Sequence, residues 1–547
     1  MTQRDHTVIA TILAIIGLYF IGLTSLEIQP WDEGLYAVRG EGIVLYGNAW
    51  DQTPHALGGL YSSTAPPMTS WGVAAGVSLF GRTALGVRFF TLICSAIALF
   101  LLFHVMKKLS SYQAALASVV ILGTSIHWLV YSRQAMTEVP LMMFTLLALW
   151  STLQDFRKTW WIFSLALGGA LMTKMAVSFT PLLFLVPLIK PTRHAPHATR
   201  HALLAALTGF ALAAPWYVTM ITTYGDQFWM AMAVPHISTA VEGNTGSLGP
   251  LYYVNQLLIA HPALILSFLF VVLAVIKRDL LPSWLSVRAM VMLWFVLGMI
   301  VFSVAATKNP HYMVMLLPPA VIVSVMGLVM VVEKLPRRYT AILFAFLIAA
   351  SVWSVYPGIR SALRAPSQHG IQMALLGLLA LMPIIAALLP SRVIDNVVVR
   401  GFKPFIIGVL AVSLVNAVRI PLMGRAEDIK GGRDVAMKLL EEADYWKRFV
   451  YLYHQQNAGD AMNPQLVWYT AGWMNGRDSS FTYTPLHMPE DREDIDVVAT
   501  AAVSGRPWIV YYHPGKRVET VQSVTAGLAP MYDVELSGEH YSLFRLR

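Results

Sequence analysis

The 547-residue chain has one cysteine, Cys94, and little charge: only 13% of its residues are Asp, Glu, Lys or Arg. A single cysteine excludes an intrachain disulfide, and its place inside an apolar run argues against a thiol metal centre. A soluble domain usually carries about 25% charged residues; at 56% hydrophobic residues, this chain is not one large soluble core. Internal repeats and low-complexity tracts are lacking, which argues against solenoids and repeat-built transporters. The formal charge of +9 is therefore read as basic cytoplasmic loops and not as a nucleic-acid footprint.

What the chain does have is apolar runs, many long enough to cross roughly 30 Å of hydrocarbon. They fall at 8–27, 88–106, 112–130, 138–154, 159–174, 176–190, 203–223, 255–276, 289–306, 313–332, 340–357, 371–389 and 404–422. The expectation is a polytopic α-helical membrane protein with about thirteen spans, the first of them retained and not cleaved as a signal peptide. With the N-terminus in the cytoplasm, the loops carrying Lys107 and Lys108, Arg157 and Lys158, Lys190 with Arg193, Lys277 with Arg278, Lys334 with Arg337, and Arg392 with Arg400 all lie inside, as the positive-inside rule requires. Beyond Gly424 charges become frequent. "RDVAMKLLEEA" reads as an amphipathic helix, and "RFVYLYH", "PWIVYYH" and "YSLFRLR" read as strands. The predicted division is a membrane domain, 1–424, with outer-face loops at 28–87 and 224–255, and an extracytoplasmic α/β domain, 425–547.

This orientation puts the unusual polar residues on the outer face. Asp32 and Glu33 follow the first apolar run, and Arg133 and Glu138, Lys174, His236 and Lys308 come from distant segments. Ionisable groups at a membrane border are candidates for function. Each also has a plainer use. Arg133 and Glu138 can close a short loop as a pair, and Lys174 can snorkel to head groups. Tyr252 and Tyr253, like Trp216 and Tyr217, fit an interfacial belt better than a sugar platform. His236 and His261 fit hydrogen-bonded structural roles better than metal ligation. Adjacent carboxylates repel, so Asp32 beside Glu33 is the hardest placement to explain structurally. The loop 225–255 lacks Lys and Arg, is Gly-rich near Glu242 and ends in Tyr252 and Tyr253; it reads equally as a lid or as an ordered interfacial loop.

The order of "WDEGLYA", "SRQAMTEVPL", "LMTK" and "TKNPHY" over roughly residues 8–330 resembles the polyprenyl-phosphate-sugar-dependent glycosyltransferases of the GT-C membrane fold. These include bacterial protein O-mannosyltransferases and the aminoarabinose transferase that modifies lipid A. The resemblance implies an inverting transfer from a polyprenyl-phosphate-linked sugar to an acceptor lipid, glycan or protein at the outer face of the cytoplasmic membrane. It implies Asp32 as catalytic base, with Glu33 and Glu138 orienting the base or the acceptor. It places Lys174, Lys308, Arg88, Arg133, His311, Tyr312 and Tyr36 about the donor phosphate or sugar, and His236, Glu242, Tyr252 and Tyr253 on a loop near it. Where the family often has Glu-Lys before Pro-Pro, this chain has Thr64 and Ala65 before Pro66 and Pro67. No metal is predicted, and divalent metal dependence stays open. The alternatives are a transporter or flippase of lipid-linked sugar and a polysaccharide polymerase or ligase. The clustering of ions at one border argues against the first, and the sequence separates the second poorly from a transferase.

Overall fold

The computed structural model describes residues 3–189, 196–241, 249–276, 283, 285–334, 429–441, 448–454, 463–471, 482–488 and 494–547. The chain divides into two compact units. One comprises Met1–Leu23, Ala65–Met68 and Phe90–Met423; the other comprises Thr24–Thr64, Thr69–Phe89 and Gly424–Arg547. The segment after the first apolar run, expected within the membrane domain, thus groups with the C-terminal residues.

The first unit is helical. Among the described residues, and including one helix that begins in the other unit, four helices are long and apolar enough to span a bilayer: Ala84–Leu109, Ala198–Tyr224, Val287–Val304 and Pro310–Val329. A fifth span arises if Tyr112–Gly123 and Ile126–Ser132, which meet at a bend of 65°, count as one. The chain is a polytopic helical membrane protein, but the expected count of about thirteen is not met among these residues. Apolarity measures solvent preference, not helix length. The run at 138–154 forms a helix of 15 residues, Glu138–Thr152, too short at about 1.5 Å per residue to cross the hydrocarbon. The run at 176–190 is a 3-10 segment, Ala176–Leu188, containing Pro181 and Pro187. The run at 255–276 breaks at His261 and Pro262 into Tyr252–Ala260 and Leu266–Ile276. The runs at 340–357, 371–389 and 404–422 lie outside the described residues.

Small residues let these helices approach closely. Phe156–Leu171 packs on Pro196–Tyr224, where a Cβ on Gly209 would lie 2.7 Å from Leu167 Cδ2 and one on Gly168 would lie 3.0 Å from Leu212 Cβ. Ser164 Oγ donates to the Ala205 carbonyl at 3.1 Å across the same contact.

The second unit is built on a five-stranded sheet of order β2-β1-β3-β5-β4: β1 is Arg448–His454, β2 Thr482–Met488, β3 Trp508–Tyr512, β4 Tyr532–Ser537 and β5 Tyr541–Leu546. β1 runs parallel to β2 and β3, while β5 is antiparallel to β3 and β4. Alternation along the strands feeds two cores. Phe449, Tyr451, Trp508, Val510 and Tyr512 meet Val435, Leu439 and Leu466 on one face. Val450, Leu452, Ile509 and Tyr511 meet Val498, Ala501, Val524 and Leu528 on the other. Burial on both faces is why the central strands read as continuous apolar runs. The expected strands and the helix, found at Gly432–Glu441, are present. The sequence reading missed β2 and β4, the two sheet edges. β2 contains Pro485, and β4 carries exposed Asp533; both are devices that suit an edge and dilute a strand signal.

The segment after the first apolar run is stapled into this unit. The Glu27 carboxylate accepts from the backbone N–H of Gly431 at 2.9 Å and of Arg433 at 3.1 Å, and from Gln465 Nε2 at 3.2 Å. It thereby meets the exposed donors at the start of Gly432–Glu441, where the helix dipole favours a negative charge. The Tyr469 hydroxyl accepts from the Ile28 N–H at 2.9 Å, and Trp31 packs edge-on to Tyr512 with ring centres 6.4 Å apart. Gly34 lies against Pro464, where a Cβ would come within 2.7 Å of the proline Cβ.

Candidate active site

In the second unit, Asp32 and Glu33 open the helix Asp32–Tyr46, and carboxylates in a first turn are favoured by the helix dipole. Successive helical residues point about 100° apart, so the two acids have opposite fates: Asp32 is exposed and Glu33 is buried. Arg88 holds Glu33 in a two-pronged pair, Nε to Oε1 at 2.7 Å and Nη2 to Oε2 at 2.9 Å. The Gln29 N–H adds a third donor to Oε2 at 2.9 Å. Arg88 further donates to the carbonyls of Leu26 at 3.1 Å and Glu27 at 2.8 Å. Each buried ion costs several kcal/mol of lost hydration, on the order of what such a complete set of hydrogen bonds can offset. Glu33 and Arg88 therefore build the turn ahead of Asp32. Tyr36 is half-buried, with the Arg39 guanidinium 5.5 Å from its ring centre. Burial lowers the Arg39 pKa to about 10, still a cation at neutral pH. It donates to Gln52 Oε1 at 2.8 Å and to the Ser62 carbonyl at 3.2 Å.

In the first unit, Glu138 begins the helix Glu138–Thr152 and is buried. Lys174 Nζ lies 2.5 Å from its Oε1, with the lysine side chain one-quarter exposed. His311 Nε2 lies 3.9 Å from the same oxygen. Glu138 Oε2 is buried and has no hydrogen-bond partner among the described residues. Aromatic rings frame the group: Lys174 Nζ is 5.0 Å from the Tyr312 ring centre, and His311 packs edge-on against Tyr312 at 4.6 Å and Tyr131 at 6.0 Å. Three expected site residues, Glu138, Lys174 and His311, with Tyr312 beside them, are thus brought together from segments far apart in sequence.

The other expected cations of this unit have local uses. Arg133 donates to the carbonyls of Tyr19 at 3.0 Å and Ile21 at 2.7 Å, at the end of the helix Gln3–Phe20. Lys308 is buried, and its ammonium donates to the carbonyls of Phe302 at 3.2 Å, Ser303 at 2.8 Å and Ala305, at the end of Val287–Val304. Cations at a helix C-terminus satisfy carbonyls that lack intrahelical donors. Tyr253 is buried and donates to the Asn309 carbonyl at 3.1 Å, beside half-buried Tyr252. His236 lies in the helix Asp226–Val241, where a loop was expected, and Glu242 lies outside the described residues. A contact that the sequence did not signal is His127 Nδ1 to His261 Nε2 at 2.9 Å. Among the described residues no three His, Cys, Asp or Glu side chains are grouped to hold a metal ion.

Residues 64–218, which include Glu138 and Lys174, match the family described as dolichyl-phosphate-mannose-protein mannosyltransferase. The chain is 27% identical over 332 residues to an undecaprenyl phosphate-alpha-4-amino-4-deoxy-L-arabinose arabinosyl transferase of Pseudomonas fluorescens. That match covers 57% of this chain, and the chain spans 55% of the relative's length. In fold the likeness extends along nearly the whole chain. ArnT from Cupriavidus metallidurans in the apo state superposes with a TM-score of 0.67 at 15% identity, covering 99% of this chain and 98% of that one. The same protein bound to undecaprenyl phosphate gives 0.66 at 15% identity, covering 98% of each chain. The chain thus resembles the mannosyltransferase family over one segment of its sequence, an aminoarabinose transferase over about half of its length, and ArnT in fold.

Proposed function

We propose that the protein transfers a sugar, with inversion, from a polyprenyl-phosphate carrier to an acceptor at the outer face of the cytoplasmic membrane, with the C-terminal α/β domain on the periplasmic side. The observation that carries this reading is the Glu138–Lys174 pair inside the sequence segment matched by the mannosyltransferase family: a carboxylate with an available oxygen beside a partly exposed cation. The polyprenyl tail stays in the bilayer and the phosphate meets Lys174, where charge-assisted hydrogen bonds hold it. As the glycosidic bond breaks, negative charge grows on the phosphate, and a fixed cation stabilises that charge. Arg88 and Lys308 are further candidates for this role; each would first leave the carboxylate or carbonyl oxygens it now serves.

Asp32 is the proposed base. It takes the proton of the acceptor hydroxyl as that oxygen attacks the anomeric carbon and the phosphate leaves. One displacement inverts the configuration and forms no glycosyl-enzyme. The exposure of Asp32 supports this choice over Glu33, whose two oxygens are both engaged. The solved relative bound to undecaprenyl phosphate supports that carrier as the donor lipid. The test is Asp32→Asn in membranes supplied with labelled undecaprenyl-phosphate sugar. Transfer is expected to fall about 10²- to 10⁴-fold, with unchanged expression and melting. Transfer at the wild-type rate would remove Asp32 from the chemistry.

A further inference from the structure

We infer that Glu138 Oε2 accepts a hydrogen bond from a ring hydroxyl of the transferred sugar, so that the Glu138–Lys174 pair selects a neutral hydroxyl and not an amino group at that position. This rests on the sugar-transfer reading above. Its basis is the asymmetry of one carboxylate. Oε1 holds Lys174 Nζ at 2.5 Å and faces His311 Nε2 at 3.9 Å. Oε2 is buried and accepts nothing among the described residues. A charged acceptor withdrawn from water and left without a donor is among the costliest arrangements in a protein. An arriving ligand that donates there recovers that cost.

The donor must be uncharged. Lys174 already balances the carboxylate, and His311 adds positive charge whenever it is protonated. An ammonium brought to Oε2 would be a second or third cation in a largely buried group, whereas an O–H adds no charge. Lys174, partly exposed over the Tyr312 ring, is the cation that an arriving anion would meet. A hydroxyl donor and a phosphate anion side by side are what a glycosyl phosphate presents when a hydroxyl neighbours its anomeric carbon.

The experiment uses the full chain in lipid nanodiscs with undecaprenyl-phosphate hexose, analogues lacking one ring hydroxyl each, and analogues carrying an amine in its place. Both kcat/KM for transfer and displacement of labelled undecaprenyl phosphate are read for wild type, Glu138→Gln and Glu138→Ala. In the wild type one deoxy analogue and its amino counterpart should lose at least about tenfold against the parent. In Glu138→Ala the parent and that analogue should be equal. An equal penalty in wild type and Glu138→Ala, or preference for the amine, overturns the inference. A wild type that binds the panel but transfers none of it sinks the transfer reading instead, and the displacement ratios still decide this one. Displacement by undecaprenyl phosphate alone shows whether each variant is folded.

Discussion

Two buried acid–cation pairs, one in each unit, look alike in sequence and differ in what they leave over. Glu33 and Arg88 are both 1% exposed, and Glu33 has donors on both oxygens. Glu138 is equally buried, but its partner Lys174 is one-quarter exposed and its Oε2 accepts nothing among the described residues. Burial alone thus does not mark a functional carboxylate. Glu33 has its partners in full, whereas the open oxygen of Glu138 is where we propose that a ligand donates.

The sharpest way to break this contrast is to remove each acid in turn. Glu33→Ala leaves the Arg88 guanidinium buried and unbalanced, and should destabilise the protein by about 3–5 kcal/mol. Thermal unfolding in detergent would read the loss, and the double change Glu33→Leu/Arg88→Leu should recover much of it. Glu138→Gln should shift stability by no more than about 1 kcal/mol, because Lys174 can reach water, while kcat/KM for transfer falls by at least about tenfold. Equal melting losses in Glu33→Ala and Glu138→Gln would erase the distinction between the two pairs.

A second test asks whether the C-terminal sheet is as closed as the Glu33 joint. His513 is buried and pairs through Nε2 with Ser542 Oγ at 3.0 Å. Burial chiefly, with His540 and His454 nearby, lowers its pKa to about 4. The unfolded chain titrates near the ordinary value of 6.5, so between the two the unfolded state binds more protons. Stability is full above about pH 6.5 and falls as pH drops towards 4, by at most about 3 kcal/mol. His513→Gln should flatten that slope in denaturant titrations followed by near-ultraviolet circular dichroism. An unaltered slope would mean that other groups set it.

The last test concerns the staple at Glu27. Glu27→Ala removes the acceptor for the Gly431 and Arg433 amides and for Gln465, worth about 1–3 kcal/mol. Hydrogen exchange should quicken across Gly431–Leu439 first. Protection unchanged there would show that the apolar contacts of Trp31 and Tyr469 suffice.

Sequence composition determined the class of this protein. Low charge and repeated apolar runs require a lipid solvent, and alternating aromatic and β-branched residues after position 424 require a buried sheet. Local motifs and a family resemblance suggested Asp32, Glu138, Lys174 and His311 as site residues, and the last three come together in the structure. Only the tertiary structure decided which of two adjacent acids turns inward, which cations close helix ends, and that Thr24–Thr64 belongs with the C-terminal residues. The reason is physical. Arg88 meets Glu33 across 55 positions, Lys174 meets Glu138 across 36, and Gly431 meets Glu27 across 404. Hydropathy and helical or strand periodicity describe neighbours along the chain, whereas these partners are chosen by packing after the elements have formed.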